Sequence, residues 1–555
     1  MGSIIIKNGL VFDPINAIEG ETKDILVEEG KIVEKFTHKK DIKEIDAKGK
    51  TVIPAGIDVH SHVASQQVNW VRLLGSRHKE FQDIWNGLTM NYIAGEYIKN
   101  GYTFFLEANV FPSLSKQALF NFVNMPVLDK GMLLNVSNLW TLDLEFQRGL
   151  KEEASIFLSD LLAKTKGFGF KVYNPFESES WSFNTLRSGL EAKGRLYNFI
   201  PLDIYENLLK FNEHLRLPHS LHAHVEGYEE NEGKANLSLI LNKVKDIEVD
   251  PTHNSTSIHR RTQILHLAHA SSYNIDGNNT ELIDFLNSNS KVDLDLGFLG
   301  FDDINPLVTS DRRLIKNLTE SENPYKLFRS AVESEGDGYA TLRRIATDNK
   351  KFSTIWANAI ELALSIKNKW QIQFSLNFPN YSHLNKIPEM AAWLLSEDAR
   401  KEMIRKFNHD DIKEHNIHDD DNVLSFNEFV IITRASPAKS LGLGDVKGNL
   451  GPNADGDINI LNIDLNKTDL SKIPAKIITA LTDMEYVIKE GKIIKANEKI
   501  DMGGKGHIFW SKGKLEKQET ALVLRKKEEY YQKYGSMFYQ SLRSPVDKKY
   551  LREVV

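Results

Sequence analysis

Four short segments of this sequence place histidine or lysine where an apolar run ends. His60 and His62 follow TVIPAGIDV, Lys171 ends GFGFKV, His222 and His224 lie in SLHAHVEG, and His266 and His269 lie in ILHLAHASS. On a strand, side chains two apart share a face, so His60 and His62 can reach one ion together. A lone His-x-His pair is equally compatible with a hydrogen-bonded core. Burying a lysine in an apolar strand as an ammonium is costly. Such a lysine either snorkels or pairs with a carboxylate, or it is desolvated and neutral. A neutral lysine can capture carbon dioxide as a carbamate, a bidentate anion able to bridge two divalent ions. Each single histidine fits a satisfied core residue, but four strand ends in the order two-His, Lys, His, His fit that reading poorly. Imidazoles with carboxylate-like oxygens suit zinc or a similar divalent ion.

Such groups need a scaffold that gathers strand ends. Apolar runs (YTFFLEANV, GFGFKVYNP, LPHSLHAHV, TQILHLAHA, VDLDLGFLG, WQIQFSLNFP) alternate with helix-like stretches such as DIWNGLTMNYIAGEYIKN and STIWANAIELALSIKNK. That alternation predicts an α/β fold, a (β/α)8 TIM-like barrel over residues 56–437, with functional groups at the C-terminal ends of its strands. Residues 1–55 and 438–500 have β texture, and YVIKEGKIIKA near the C-terminus echoes ILVEEGKIVEK near the N-terminus. The two ends are expected to form one small β-sandwich that the chain leaves for the barrel and rejoins. Residues 501–555, charged and aromatic, are expected to form a helix-containing extension.

The bulk composition narrows the chemistry. The chain has 555 residues, with 70 Lys and Arg against 76 Asp and Glu, a formal charge of −6 that gives no electrostatic reason to bind nucleic acid or an anionic membrane. It has no cysteine, which excludes thiolate zinc sites, cysteine-ligated iron–sulfur clusters and cysteine nucleophiles. No apolar stretch is long enough for a signal h-region or a bilayer span, so a cytoplasmic protein is expected.

The order HSH, lysine strand, HAH, LAH resembles that of the amidohydrolase superfamily. More narrowly, the chain is similar to the A component of formylmethanofuran dehydrogenase and of the related bacterial formyltransferase/hydrolase complex. The resemblance runs along nearly the whole chain. Its marks include IKNGLVFDPINAIEGE, PAGIDVHSHVA followed by QVNWVRLL, FKVYNP, LPHSLHAHVEG, FNEFVIITRASPAKSLGL, KGNLGPNADGDINI and YYQKYGSMFYQSLRSPVDKKYL. RASPAKSLGL and NADGDINI are shared across the superfamily; several of the others are particular to that component. The resemblance implies two divalent ions, zinc by expectation. His60 and His62 would hold one ion, and Lys171, as a carbon dioxide adduct, would bridge both. One of His222/His224 and one of His266/His269 would hold the second, with His222 and His269 favoured. The implied reaction interconverts N-formylmethanofuran (or a methylofuran analogue) and water with formate and the free amine. The implied partners are the other subunits of a heteromeric complex and a furan-amine one-carbon carrier. Molybdenum or tungsten redox chemistry would lie on other subunits.

The eighth-strand motif departs from the pattern. Thr-Asp-His-Pro-Asn is expected, whereas Leu376-Asn377-Phe378-Pro379-Asn380 stands here. The expected aspartate shuttles a proton, and a carboxamide cannot accept one near neutral pH. His383 could serve as a surrogate base if the loop YSHLNKIP folds back. Three readings follow: a working metallohydrolase with altered proton handling, a degenerate scaffold subunit of the same complex, or a free-standing cyclic-amide hydrolase of the dihydroorotase or hydantoinase kind.

Overall fold

The structure is a computed structural model. It describes all residues except 1, 39–40, 66–68, 70–87, 177–188, 195–197, 250–259, 302–306, 310, 312–313, 315–340, 418–421, 483, 516–519, 535–537 and 555. The QVNWVRLL motif therefore lies almost wholly outside the described residues.

The chain begins with β1 (Ser3–Asp13), β2 (Ile18–Glu28), β3 (Lys31–Val33), β4 (Ile42–Asp46) and β5 (Thr51–Pro54). Eight barrel strands follow in alternation with helices: β6 (Gly56–Ser61), β7 (Tyr102–Val110), β8 (Asp129–Asn135), β9 (Gly169–Val172), β10 (Leu221–Ala223), β11 (Leu265–Leu267), β12 (Val292–Asp295) and, after a short hairpin of β13 (Leu307–Thr309) and β14 (Thr341–Arg343), β15 (Ile372–Gln373). Neighbouring barrel strands pair in parallel from β6 round to β15. The ring closes where Ser61 bridges Phe378 and the His62 N–H donates to the Phe378 carbonyl at 2.6 Å. Helices such as Met90–Lys99, Lys151–Thr165, Pro201–His214 and Lys350–Ser365 cover the outside. This is the expected TIM-like barrel. Strands buried on both faces explain its near-continuous apolar runs, as in YTFFLEANV, every residue of which is buried.

The two chain ends build one sheet. Strands β16 (Ile458–Leu461), β17 (Tyr486–Lys489), β18 (Lys492–Ala496) and β19 (Lys499–Ile500) join β1–β5 in a nine-stranded sheet, with β16 antiparallel to β5. The echoed segments are two matching hairpins. Glu29 and Gly30 have φ of 49° and 84°, and Glu490 and Gly491 have φ of 46° and 69°. Two successive positive φ values are those of a tight type I′ hairpin turn, which explains glycine at the second position. The hairpins meet through Gly456, whose N–H donates to the Gly30 carbonyl at 2.8 Å and whose carbonyl accepts from the Gly491 N–H at 3.1 Å. The sheet thus closes over its own apolar core of Ile4, Ile6, Val27, Ile32, Ile458 and Ile488, the sandwich expected from both ends.

The last segment returns to the barrel. β20 (Ile508–Ser511) pairs with β8, and β21 (Leu551–Val554) pairs with β20, both in parallel, while the helix Thr520–Tyr534 lies between them in sequence. Where β8 begins, a buried charge network joins barrel, sheet and tail. Lys447 Nζ lies 2.6 Å from Asp129, 2.8 Å from Asp455 and 2.7 Å from Asp457. Lys489 also reaches Asp129 at 2.8 Å, and Arg552 reaches Asp455 at 2.6 Å. Among the described residues, no helix is long and apolar enough to cross a membrane.

Candidate metal centre

Side chains from strand ends converge at the mouth of the barrel, at the end remote from the Lys447 network. Parallel register sets their heights: His222 is level with Lys171 and with His266, and His266 with Asp293. His60, His62, Lys171, His222, His224, His266, His269, Asp295 and Asn377 are all buried. Their burial follows from alternation, which turns 60 and 62, 222 and 224, and 293 and 295 inward in pairs.

The histidines form two tiers. In the deeper tier the rings of His222 and His266 lie 4.3 Å apart. His266 is held at both nitrogens, with Nδ1 2.9 Å from Asp293 and Nε2 3.0 Å from Asp295. Burial works against its protonation, but the two aspartates outweigh it and raise its pKa to about 9. Gln373 Nε2 donates to the far oxygen of Asp293 at 3.0 Å. In the outer tier the rings of His224 and His269 lie 4.5 Å apart, and His60 lies 5.3 Å from His269 and 5.4 Å from His62. Burial keeps His224 and His269 neutral, with pKa values well below the ordinary one, and brings His60 to about 3. Neutral imidazole is the form that binds a metal ion.

Three of the outer imidazoles, those of His269, His60 and His62, face a second group through Nδ1. His269 Nδ1 lies 2.9 Å from the Ser272 hydroxyl, which itself donates to the His269 carbonyl at 2.8 Å. That hydroxyl must therefore accept from Nδ1–H, which leaves Nε2 bare. His60 Nδ1 lies 3.0 Å from Asp295, and His62 Nδ1 lies 3.4 Å from Glu107. Glu107 accepts the N–H groups of Ala64 and Ser65 at 2.6 and 3.0 Å and so shapes the turn after the pair. Below His60, Asp58 accepts from the Tyr97 hydroxyl at 2.7 Å, and burial lifts its pKa to about 7.

Lys171 is buried to 1% exposure, and its Nζ has no hydrogen-bond partner. Burial pushes its pKa down to about 7, toward the neutral amine. His224 Nδ1 is likewise buried without a partner. Orphaned nitrogen atoms at the centre of a ring of imidazoles fit a divalent metal: their donor capacity has no other use in the structure.

Asp295 was not anticipated from sequence. It ends β12 with the same two-residue spacing, VDLD, that drew attention to His60 and His62, and it lies among the histidines. Donor atoms of His60, His222 and Asp295 are within 4.8 Å of one another. The eighth-strand position holds Asn377, as the sequence reads, in a left-handed conformation with φ 45° beside the barrel seam. Its carbonyl oxygen Oδ1 accepts from the Asn380 side chain at 3.3 Å. His383 lies beyond Phe378, with ring centroids 6.0 Å apart, and lines a cavity with Tyr92, Glu96 and Asn385. The loop directs it toward the helix Met90–Lys99, so its placement lends no support to a surrogate base.

Over the outer tier stands an aromatic collar. Tyr228 and Tyr173 lie 4.2 and 4.6 Å from His224, and Tyr381 lies 5.3 Å from His269. Arg343 on β14 grips Glu229 with bonds of 2.9–3.0 Å and packs 5.4 Å from the Tyr381 ring centre.

Comparison with known proteins places this arrangement. A model of the amidohydrolase family matches residues 43–90 and 350–495. Protein FwdA of Methanocaldococcus jannaschii is 30% identical over 509 residues, which cover 88% of this chain and 89% of that protein. The A component of the formyltransferase/hydrolase complex Fhc of Methylorubrum extorquens is 24% identical over 513 residues, again 88% of this chain and 89% of that one. One chain in the crystal structure of the Methylorubrum extorquens complex FhcABCD with methylofuran shares the fold, with a TM-score of 0.85 at 21% identity over 100% of this chain and 99% of that chain. The chain belongs to the amidohydrolase family of hydrolases, in the branch that contains FwdA and the A component of the formyltransferase/hydrolase complex.

Proposed function

We propose that this protein is the hydrolytic subunit of a formyltransferase/hydrolase-type complex and cleaves or forms the formamide of a furan-amine one-carbon carrier. In the hydrolytic direction one N-formyl amine and one water give formate and the ammonium form of the amine. The observation that carries the proposal is Lys171: a buried, unpartnered amine near neutrality among four outer imidazoles. A neutral lysine is the form that adds carbon dioxide.

Two divalent ions, zinc by chemistry of the donors, would be held by His60 and His62 on one side and by His269 with His224 on the other, bridged by the Lys171 carbamate. Two observations favour His224 over the His222 that the resemblance favours. His222 Nε2 lies 3.3 Å from His60 Nδ1, the nitrogen that faces Asp295, whereas His224 sits in the outer tier with an unpartnered Nδ1. When bound, the ions would activate water and polarise the formyl oxygen.

The remaining work falls to the chain. The collar of Tyr173, Tyr228 and Tyr381 offers flat apolar faces to a planar carrier and excludes water. Asn377 can orient a water through its carboxamide but cannot take its proton. That neutral side chain specifically favours a second reading, a metal-loaded protein with poor turnover that serves assembly or substrate passage. The two readings part in one assay: formate release from N-formylmethanofuran or its methylofuran analogue by fully metal-loaded protein, with Asn377→Asp alongside. Turnover by the natural sequence supports the hydrolase. Silence in the natural sequence and turnover in the variant supports the scaffold, and turnover of dihydroorotate or hydantoins instead would overturn both.

A further inference from the structure

We infer that Asp295 is the positioning carboxylate of the metal centre: it orients His60 and His269 as ligands and holds His266 out of the ligand set. The inference rests on the metal-centre reading above and concerns a residue on the seventh strand, one strand away from the expected eighth-strand aspartate.

The argument is a count of lone pairs. A carboxylate accepts about four hydrogen bonds. Asp295 Oδ2 takes His60 Nδ1 and His266 Nε2, each at 3.0 Å. Oδ1 takes the His269 backbone N–H at 2.9 Å and the Ser375 hydroxyl. Four donors from three segments saturate it, so it has no free lone pair for a metal ion or for a water proton.

The three bonds to histidines have separate effects. With Nδ1–H of His60 committed to Asp295, Nε2 is left bare on the side of the ring away from the carboxylate. A carboxylate behind a ligating imidazole fixes its tautomer and raises its basicity. The His269 N–H bond holds a residue whose φ of 35° is unusual for any side chain but glycine. That turn carries His269 out of the strand and into the outer tier. Its space depends on Gly297, where a Cβ would come within 2.2 Å of the His269 Cβ. The third bond acts by exclusion. His266 is clamped between Asp293 and Asp295 with both nitrogens used, so of the LAH pair only His269 has a nitrogen left for an ion.

The test uses the full-length chain, stripped of metal, reloaded with zinc and titrated against a chelator. Zinc per chain, zinc affinity and the Tm of the metal-free form are read together. Asp295→Asn is expected to keep two zinc ions but bind them about 10- to 100-fold more weakly. His266→Gln is expected to keep two ions, and His269→Ala to keep one. In the cobalt-loaded protein, Asp295→Asn should shift the visible absorption while the ion count stays fixed. Zinc affinity unchanged in Asp295→Asn overturns the inference and leaves the metal centre standing. Loss of a whole ion in Asp295→Asn makes the residue a ligand and also overturns it, as does loss of an ion in His266→Gln. If Asp295→Asn does not fold, His266→Gln against His269→Ala still decides the ligand assignment. A natural chain that takes up no zinc defeats the metal-centre reading itself, and the inference with it.

Discussion

Replacing a carboxylate by a carboxamide at position 377 leaves shape and hydrogen-bonding reach nearly intact and removes one capacity, that of holding a proton. Loss of a general base costs on the order of 10²–10⁴ in rate, so Asn377→Asp is expected to raise formate release by up to that factor with KM little moved. Lys171 gives the complementary case. A buried amine with no partner is a cost to the metal-free fold, and its return comes only when an ion or carbamate forms. Lys171→Met should therefore bind fewer zinc ions than the natural chain, by elemental analysis, while its metal-free form melts at the same or a higher temperature. A metal-free variant that melts well below the natural chain would mean that Lys171 has a structural partner. The strand-end histidines were legible because a two-residue spacing at the end of an apolar run reports an inward face. Asp295 has that same spacing, but a search of the eighth strand for the carboxylate passes over the seventh. Between His222 and His224 the resemblance favoured His222, but strand alternation turns both inward and carries no information on which would meet an ion.

At the scale of elements, the network around Lys447 does for the far end of the barrel what the histidines do for its mouth, joining segments remote in sequence. Lys447 faces three buried aspartates, so removing its charge leaves like charges together in a dry site. Lys447→Met is expected to lower stability by about 3–5 kcal/mol in urea titration. His507 contributes a pH dependence of its own at this end of the barrel. Its ring lies 3.7 Å from Asp129 and 3.3 Å from Glu490, and these carboxylates raise its pKa to about 9, with Lys489 and Lys447 also facing Asp129. A pKa raised above the unfolded value stabilises below about 6.5 and loses that stabilisation as pH rises toward 9. Tm should fall across that window, and His507→Gln should flatten the fall; an identical slope in the variant would show that another group is responsible. The hairpins of the chain-end sheet were legible because Glu-Gly punctuates two matching β runs. Strands β20 and β21 were not, since four residues each are too few to show a period, β20 pairs with β8 more than three hundred residues away, and β21 pairs with β20.

For the whole molecule, the two ends of the barrel separate chemistry from cohesion. Removing residues 548–555 takes away β21 and Arg552, which binds Asp455. The shortened chain is expected to melt at a lower temperature yet to bind zinc with unchanged stoichiometry, because the site lies at the other end. Loss of zinc on truncation would show that the two ends are coupled. The broad architecture was readable from the alternation of strand and helix, since that pattern has few compact solutions. The pairing of β5 with β16 bears on how such a chain is made. Synthesis at 5–20 residues per second separates the emergence of the two strands by roughly 20–80 s. Throughout that interval β5 presents a bare edge to the crowded cell, and unpaired edges recruit other strands. The newborn polypeptide is thus an aggregation hazard for as long as its barrel takes to be translated, and holdase chaperones that shield β5 should govern how much of it survives to assemble.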